Sequence, residues 1–402
     1  MLQGKHIVLG VTGSIAAYKI ASLASMLKKK HASVTVIMTR NATNFINPIT
    51  FETLTGNKCL VDTFDRNFQY SVEHVALAKQ ADVVMVAPAS ANVLAKAAHG
   101  LADDMLTTTL LACQCKKIFA PAMNTRMYTN PIVQDNIQVL RSFGCEVITP
   151  ASGYLACGDT GEGKMPEPEF LEEAIIRALT PKDMEGVRLL VTAGATREKI
   201  DPVRFITNHS TGKMGYAIAR AAVRRGAQVT LVSGRTELAP PSGARVIEIV
   251  SAADMAEAVR ECAREQDIII KAAAVADYRP KSAAEEKMKK GDGDLELKLE
   301  RTEDILGYLG EHRHKGLFLC GFSMETENMI ENSRKKLEKK HLDLIVANNL
   351  KQAGAGFGTD TNIVTFLSKE ETVELPIMSK EEAADRLLDY IMQHRKDACP
   401  VL

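Results

Sequence analysis

Short apolar runs alternate with helical stripes along the whole chain. Residues 6–11 form an apolar run that predicts a buried strand, and residues 15–29 carry Ile15, Ile20, Leu23 and Leu27 at helical spacing. Residues 34–38, 83–87, 118–120 and 146–149 read as further strands, with a closing helix at 170–179. Strands that are apolar throughout, separated by amphipathic helices, imply a parallel sheet covered on both faces and joined by right-handed crossovers.

The stretch Thr180-Pro181-Lys182-Asp183-Met184-Glu185-Gly186 breaks this alternation, being polar and holding both a Pro and a Gly. It predicts a boundary between a domain at 1–182 and a second at 187–402. The alternation then restarts, with strands at 187–192, 228–232, 267–272, 317–322, 344–347 and 363–367. Helices are expected at 214–225, at 253–265 and from Lys380 onward. The fold class is therefore α/β, with two doubly wound, mostly parallel sheets. Two long insertions, 151–168 with Gly153, Gly158, Gly161 and Gly163, and 278–301 with a Lys-rich run, read as irregular functional lids. A solvated charged loop is an equal reading of the second.

Composition narrows the function. The 402 residues balance 50 basic against 50 acidic side chains, so no net field favours nucleic acid or an anionic membrane. Trp is absent and aromatics make up 5%, which argues against base-stacking platforms. Eight cysteines stand at 59, 113, 115, 145, 157, 262, 320 and 399 without zinc-knuckle spacing. No apolar run reaches membrane-spanning length, and Met1-Leu2-Gln3-Gly4-Lys5 leads straight into a strand. The expectation is a cytoplasmic, reduced protein with no leader segment.

Candidate chemistry collects at strand ends. Gly10-Val11-Thr12-Gly13-Ser14 lies between the first strand and its helix, where glycines and free N–H groups suit a phosphate. The spacing is not G-x-G-x-x-G, so a mononucleotide fits better than a dinucleotide. Thr39, Ser90 and Asn92 end the next strands, although helix capping explains Ser90 and Asn92 as well. Pro121-Ala122-Met123-Asn124-Thr125-Arg126-Met127 puts an amide directly after an apolar strand. Ala156-Cys157-Gly158-Asp159 sets a thiol in a Gly-rich loop, and His74 stands just before a helix. An acid/base, a carboxylate-holding amide and a proton-donating thiol point to redox-assisted chemistry on a small acid. A nicotinamide oxidoreductase would need the missing dinucleotide fingerprint, and a non-catalytic flavoprotein would be expected to lack His74, Asn124 or Cys157.

In order, these segments resemble the flavin-dependent cysteine decarboxylases. With the second half included, the chain resembles the bifunctional phosphopantothenoylcysteine decarboxylase/phosphopantothenate–cysteine ligases of coenzyme A biosynthesis. That resemblance implies a flavoprotein-like first domain and a Rossmann-like second one. It implies FMN held by Gly13, Ser14, Thr39, Ser90 and Asn92, with His74 as acid/base in thiol oxidation and loss of CO₂. Asn124 then holds the substrate carboxylate with Met127 beside it, and Cys157 donates the final proton.

For the second half, Asn208 in Asp201-Pro202-Val203-Arg204-Phe205-Ile206-Thr207-Asn208-His209-Ser210-Thr211-Gly212-Lys213-Met214-Gly215 would steady an acyl-nucleotide, with Arg204 on the substrate. Ala272, Ala273, Ala274, Asp277, Lys287, Thr302, Glu303, Asp304, Ile305, Phe322, Lys336 and Lys340 match nucleotide contacts, and Lys287 also serves the cysteine step. The implied reaction joins 4′-phosphopantothenate to cysteine through a cytidylate made from CTP, with Mg²⁺ entering on the nucleotide. The 4′-phosphopantothenoylcysteine so formed is decarboxylated. Homo-oligomers are implied, trimers of the decarboxylase half and dimers of the ligase half, with no nucleic-acid or membrane partner. Lys271 departs from expectation, since a small or apolar residue suits that strand. A strand end and a reach to the nucleotide are both open readings of Lys271, a substrate phosphate and a solvated side chain are equal readings of Lys164, and neither residue is given a role.

Overall fold

The computed structural model describes residues 2–64, 73–154, 158–289, 296–325, 328–349 and 358–395. The chain divides into two compact units, Met1–Thr180 and Pro181–Leu402.

The first unit runs β1 (His6–Val11), α1 (Tyr18–Lys29), β2 (Ser33–Met38), α2 (Pro48–Thr55), α3 (Glu73–Gln80), β3 (Val83–Ala89), α4 (Ala91–Ala98), α5 (Met105–Ala112) and β4 (Lys116–Pro121). It continues through α6 (Thr125–Tyr128), α7 (Pro131–Ser142), β5 (Glu146–Val147), β6 (Ala151–Tyr154), β7 (Thr160–Lys164) and α8 (Pro168–Leu179). Its main sheet is parallel in the order β2-β1-β3-β4-β5. Every residue of β3 is buried, as a central strand covered by helices on both faces requires. One face carries Leu23, Leu27 and Phe51 with Leu171 and Ile175 of α8, and the other carries Leu94, Leu106, Leu110, Ile137 and Leu140.

Three expectations need correction here. Ile15 does not join the apolar stripe: it is 58% exposed in a 3-10 turn, Ile15–Ala17, and the α-helix starts at Tyr18. The Ser14 hydroxyl accepts the Ala16 N–H at 3.3 Å and tightens that turn. His74 lies inside the first turn of α3, not ahead of it. The first insertion is not irregular: β6 and β7 pair as an antiparallel hairpin.

The second unit holds β8 (Arg188–Ala193), β9 (Glu198–Lys199), β10 (Phe205–Ile206), α9 (Lys213–Arg224), β11 (Gln228–Ser233), β12 (Arg245–Glu248), α10 (Ala252–Ala263), β13 (Ile268–Lys271), β14 (Tyr278–Pro280) and β15 (Leu299–Arg301). After these come α11 (Ile305–Glu311), β16 (Phe318–Glu325), α12 (Met329–Lys339), β17 (Leu344–Asn349), β18 (Thr361–Asn362), β19 (Val364–Leu367), β20 (Thr372–Glu374), β21 (Met378–Ser379) and α13 (Lys380–Arg395). The large sheet has the order β12-β11-β8-β13-β16-β17-β19-β20. It is parallel through β17, and β19 and β20 close one edge antiparallel. Helices α9 and α13 pack one face, and α10, α11 and α12 the other. The second insertion is also partly ordered, since its ends pair as β14 and β15. Buried Arg225 pairs with Asp183 and, at 2.8 Å, with Asp389, tying the start of this unit to α13.

Candidate functional site

In the first unit the strand order reverses between β1 and β3, and ligands of open α/β sheets bind outside the carboxyl ends at such a point. Hydrogen bonds stitch that rim together. The Thr12 hydroxyl donates to Pro88 O at 2.7 Å and accepts the Ser90 N–H at 3.0 Å, so the ends of β1 and β3 are fixed to each other. Thr39 N–H bonds Val11 O at 3.0 Å, and Ala122 N–H bonds Ala89 O at 3.1 Å. The rim therefore brings together Gly13, Ser14, Thr39, Ser90 and Asn124.

Their local roles differ. Ser90 caps α4 by accepting the Val93 N–H at 3.4 Å, while Asn92, inside the helix, is exposed. The Thr39 Oγ1 is buried and has no hydrogen-bond partner among the described residues, an arrangement that costs free energy unless a ligand supplies one. A Cβ on Gly13 would stand 2.9 Å from Asn41 Cβ, so only glycine lets the two loops approach this closely. An unsatisfied hydroxyl and a glycine-lined approach together fit a phosphate-bearing group at this rim.

The β6–β7 hairpin folds over Asn124. Met123 N–H donates to Gly163 O at 3.1 Å, and Asn124 Nδ2 donates to Asp159 Oδ2 at 2.9 Å. Asn124 also caps α6, accepting the Arg126 N–H at 2.8 Å, and Met127 on that helix is 49% exposed. Lys164 lies 3.9 Å from Glu167, which Lys19 holds at 2.7 Å, and both cations keep its carboxylate below the usual range. Cys157 lies outside the described residues. Among the described residues no hydrogen bond joins His74 to Ser14, Ser90 or Asn124. Helix α3 runs toward the amino edge of the sheet, where Asp82 N–H meets His6 O at 2.9 Å, so His74 stands at its far end.

In the second unit the order reverses between β8 and β13, and two neighbouring cavities open there. The first, about 460 Å³, is lined by Ala273, Asp277, Thr302, Glu303, Asp304, Ile305, Phe322, Lys336 and Lys340, together with Lys271. The second, about 310 Å³, is lined by Ser210 to Gly215, Ala272, Ala273, Ala274 and Asn348. Ala273, Val275, Asp277 and Phe322 line both. Thr302 donates its hydroxyl to Ala276 O at 2.6 Å and holds the strand end against the following loop.

Two of the lysines lining the first cavity are paired. Lys340 bonds Asp304 at 2.9 Å and Lys336 bonds Glu325 at 2.5 Å. Burial pushes the Asp304 carboxyl up, but the Gly307 N–H and Lys340 outweigh it and leave it below the usual range. Burial likewise acts on Glu325, and the ion pair with Lys336 outweighs it in the same way.

Asn208 lines neither cavity but braces the wall of the second. Its Nδ2 donates to Ala274 O at 3.1 Å and its Oδ1 accepts the Ser210 N–H at 3.2 Å. Arg204 donates to Met288 O at 3.3 Å, beside Lys287, which is exposed and lines neither cavity. The sequence pattern did not assign Thr12, Lys271 or Asn348. A lysine closing an otherwise apolar strand was the one visible signal, at Lys271. Among the described residues no group of three or more His, Cys, Asp or Glu side chains is arranged to hold a metal, and no helix is long and apolar enough to cross a membrane.

Residues 1–180 match the family described as "Flavoprotein", and residues 184–394 match the "DNA/pantothenate metabolism flavoprotein C-terminal domain". The chain is similar to the "Coenzyme A biosynthesis bifunctional protein CoaBC" of Bacillus subtilis (strain 168), with 50% identity over 396 residues and 97% of each chain covered. It is 40% identical over 396 residues to the protein of the same description from Escherichia coli (strain K12), again with 97% of each covered. A solved structure described as the C-terminal domain of coenzyme A biosynthesis bifunctional protein CoaBC shares 46% identity, covering 54% of this chain and 99% of that one at a TM-score of 0.47.

Proposed function

The chain belongs to the family of coenzyme A biosynthesis bifunctional proteins CoaBC, and from that premise we propose how its two units divide the chemistry. It is a bifunctional enzyme, a phosphopantothenoylcysteine decarboxylase in its flavoprotein half and a phosphopantothenate–cysteine ligase in its second half. The observation that carries the division is that each unit has its own sheet reversal, with its own cluster of polar strand ends.

In the first unit, FMN is the flavin that fits, with Gly13, Ser14, Thr39, Ser90 and Asn92 as its holders. Bound there, it supplies an acceptor for the two electrons of thiol oxidation, which gives the carbanion left by CO₂ a sink. Asn124 orients the substrate carboxylate, and an incoming carboxylate competes with Asp159 for its amide. Met127 borders that position. His74 moves the proton in the oxidative and decarboxylating steps, and Cys157 returns a proton at the end. The β6–β7 hairpin excludes water while it is closed.

In the second unit, the first cavity takes the nucleotide and the neighbouring segment from Asn208 to Gly215 takes the activated acyl group. The carboxylate of 4′-phosphopantothenate attacks the α-phosphorus of CTP and pyrophosphate leaves. The cysteine amine then attacks the acyl carbon and CMP leaves. Asn208 uses one amide hydrogen and one lone pair in bracing the wall, so a second hydrogen and a second lone pair stay available to the acyl-nucleotide. Lys336 and Lys340 offset triphosphate charge by exchanging their carboxylate partners for phosphate oxygens. Arg204 meets the substrate, and Lys287 reaches the nucleotide and serves the cysteine step. Mg²⁺ enters with the triphosphate, in keeping with a metal held largely through phosphates.

A cytoplasmic setting and homo-oligomers, trimeric through the first unit and dimeric through the second, complete the reading. The test is product analysis with 4′-phosphopantothenate, cysteine and each nucleoside triphosphate in turn. CTP is expected to give CMP, pyrophosphate and 4′-phosphopantetheine. Equal turnover with ATP and CTP would remove the cytidine assignment.

A further inference from the structure

The floor of the first cavity holds a lysine that nothing in the ligase reading uses. Lys271 is the last residue of β13, in register with Thr192 of β8 and Gly321 of β16, at the point where the strand order reverses. It is 7% exposed, yet it lines the 460 Å³ cavity. Its Nζ lies 3.4 Å from Met255 Sδ on α10, and a thioether sulfur is a weak acceptor. Among the described residues, no carboxylate lies within ion-pair distance of it.

The neighbouring charges explain why. Asp304, at the N-cap of α11, is the carboxylate that acts on Lys271, but it is bonded to Lys340 at 2.9 Å. Lys340, just past the end of α12, opposes a second positive charge on the cavity floor. Lys336 on α12 is engaged with Glu325, and Glu303 with Arg260 of α10. Asp304, Glu325 and Glu303 therefore each already have a cation. A buried ammonium with no anionic partner is costly, so a lysine at such a position calls for an acceptor that arrives with the ligand.

We propose that Lys271 contacts the nucleotide directly, donating from Nζ to an anionic oxygen of the bound CTP. This rests on the nucleotide reading of the first cavity and adds to it a residue at its floor. Burial, opposed by Asp304 and reinforced by Lys340, brings the Lys271 amine down to about 7. Above that pH the amine is neutral in the ligand-free protein. An oxyanion beside it restores the ammonium, and the proton comes from the buffer. Binding therefore takes up a proton at pH 8. Uptake vanishes near pH 5.5, where the amine is already charged.

The experiment is calorimetry of Mg-CTP binding to the full chain at pH 8, in buffers of different ionisation enthalpy. For the unaltered protein the binding enthalpy should track buffer enthalpy with a slope of roughly half to one proton taken up, as the amine's position near 7 requires. Lys271→Met keeps the length and removes the amine, and its slope should fall by that amount while Kd rises about 10-fold, the loss of one charge-assisted bond. Lys271→Arg, charged at every pH used, should also lose the uptake. Thermal unfolding shows whether each variant is folded. A Met variant with the same slope and the same Kd overturns the role of Lys271 and leaves the nucleotide site standing. An unaltered protein that binds no Mg-CTP overturns the site and this contact together.

Discussion

Asn124 and Asp159 are joined by an Nδ2–H···Oδ2 hydrogen bond of 2.9 Å, which links the end of β4 to the hairpin that folds over it. The same bond orients the amide that is to hold the substrate carboxylate. Asn124→Asp would set two carboxylates against each other and push the hairpin off. CO₂ release is expected to fall about 100-fold, the scale of a misplaced catalytic group, with ligation unchanged. Separate assays of CO₂ and of CMP check this, and an equal fall in both rates would count against it.

Gly163 holds the other end of that closure. It sits at φ +134°, and a Cβ there would lie 2.2 Å from Met123 O. Gly163→Ala must break the Met123 N–H to Gly163 O bond or strain the backbone, at about 1–3 kcal/mol. Amide exchange in β6 and β7 should speed up while the core strands β1 and β3 stay protected. Decarboxylation should drop and ligation persist.

Asp201 does comparable work in the second unit. Its buried carboxylate accepts the Val203 and Arg204 N–H groups at 2.8 and 2.7 Å and the Met288 N–H at 3.2 Å. It thus ties the loop of Arg204 to the segment of Lys287. Burial acts to raise its pKa, but the three N–H donors outweigh this and hold it below the usual carboxylate range. A carboxyl depressed in the folded state stabilises fully above its unfolded value, about 3.9, and that stability is lost as pH falls through the folded value. Asp201→Asn should therefore lower Tm at pH 7, and the gap to the unaltered protein should close below about pH 4. A gap that is constant with pH would argue against the ionised carboxylate as its source.

Cys157→Ser should stall the decarboxylase after CO₂ has left. Mass spectrometry of the product is expected to find a species two hydrogens short of 4′-phosphopantetheine. Normal output of 4′-phosphopantetheine would take Cys157 out of the reaction.

Much of this architecture was readable from the chain because apolar runs and helical stripes are dictated by burial on both faces of a sheet. The two strand-order reversals were not readable, since local pattern does not encode which strands pair. Ile15 misled because its apolar side chain matches the α1 stripe, while Ser14 capping diverts the chain into a 3-10 turn. The hairpin of β6 and β7 was hidden by its glycines, which pair across strands and pack under Met123 and Thr125. Residues from Thr302 to Ile305 with Lys336 and Lys340 were identified only by resemblance, because spacing alone makes Lys336 and Lys340 a solvated helix face. Lys271 was noticed as an anomaly, and only the third dimension places it on a cavity floor.

The most direct measurement compares the unaltered chain, His74→Asn and Asn208→Asp, each given 4′-phosphopantothenate, cysteine and Mg-CTP, and separately 4′-phosphopantothenoylcysteine alone. The unaltered chain should yield 4′-phosphopantetheine from either starting point. His74→Asn should accumulate 4′-phosphopantothenoylcysteine and release no CO₂. Asn208→Asp should fail from 4′-phosphopantothenate yet decarboxylate the supplied intermediate at the normal rate. Equal loss of both activities in either variant would contradict two separate sites on one polypeptide.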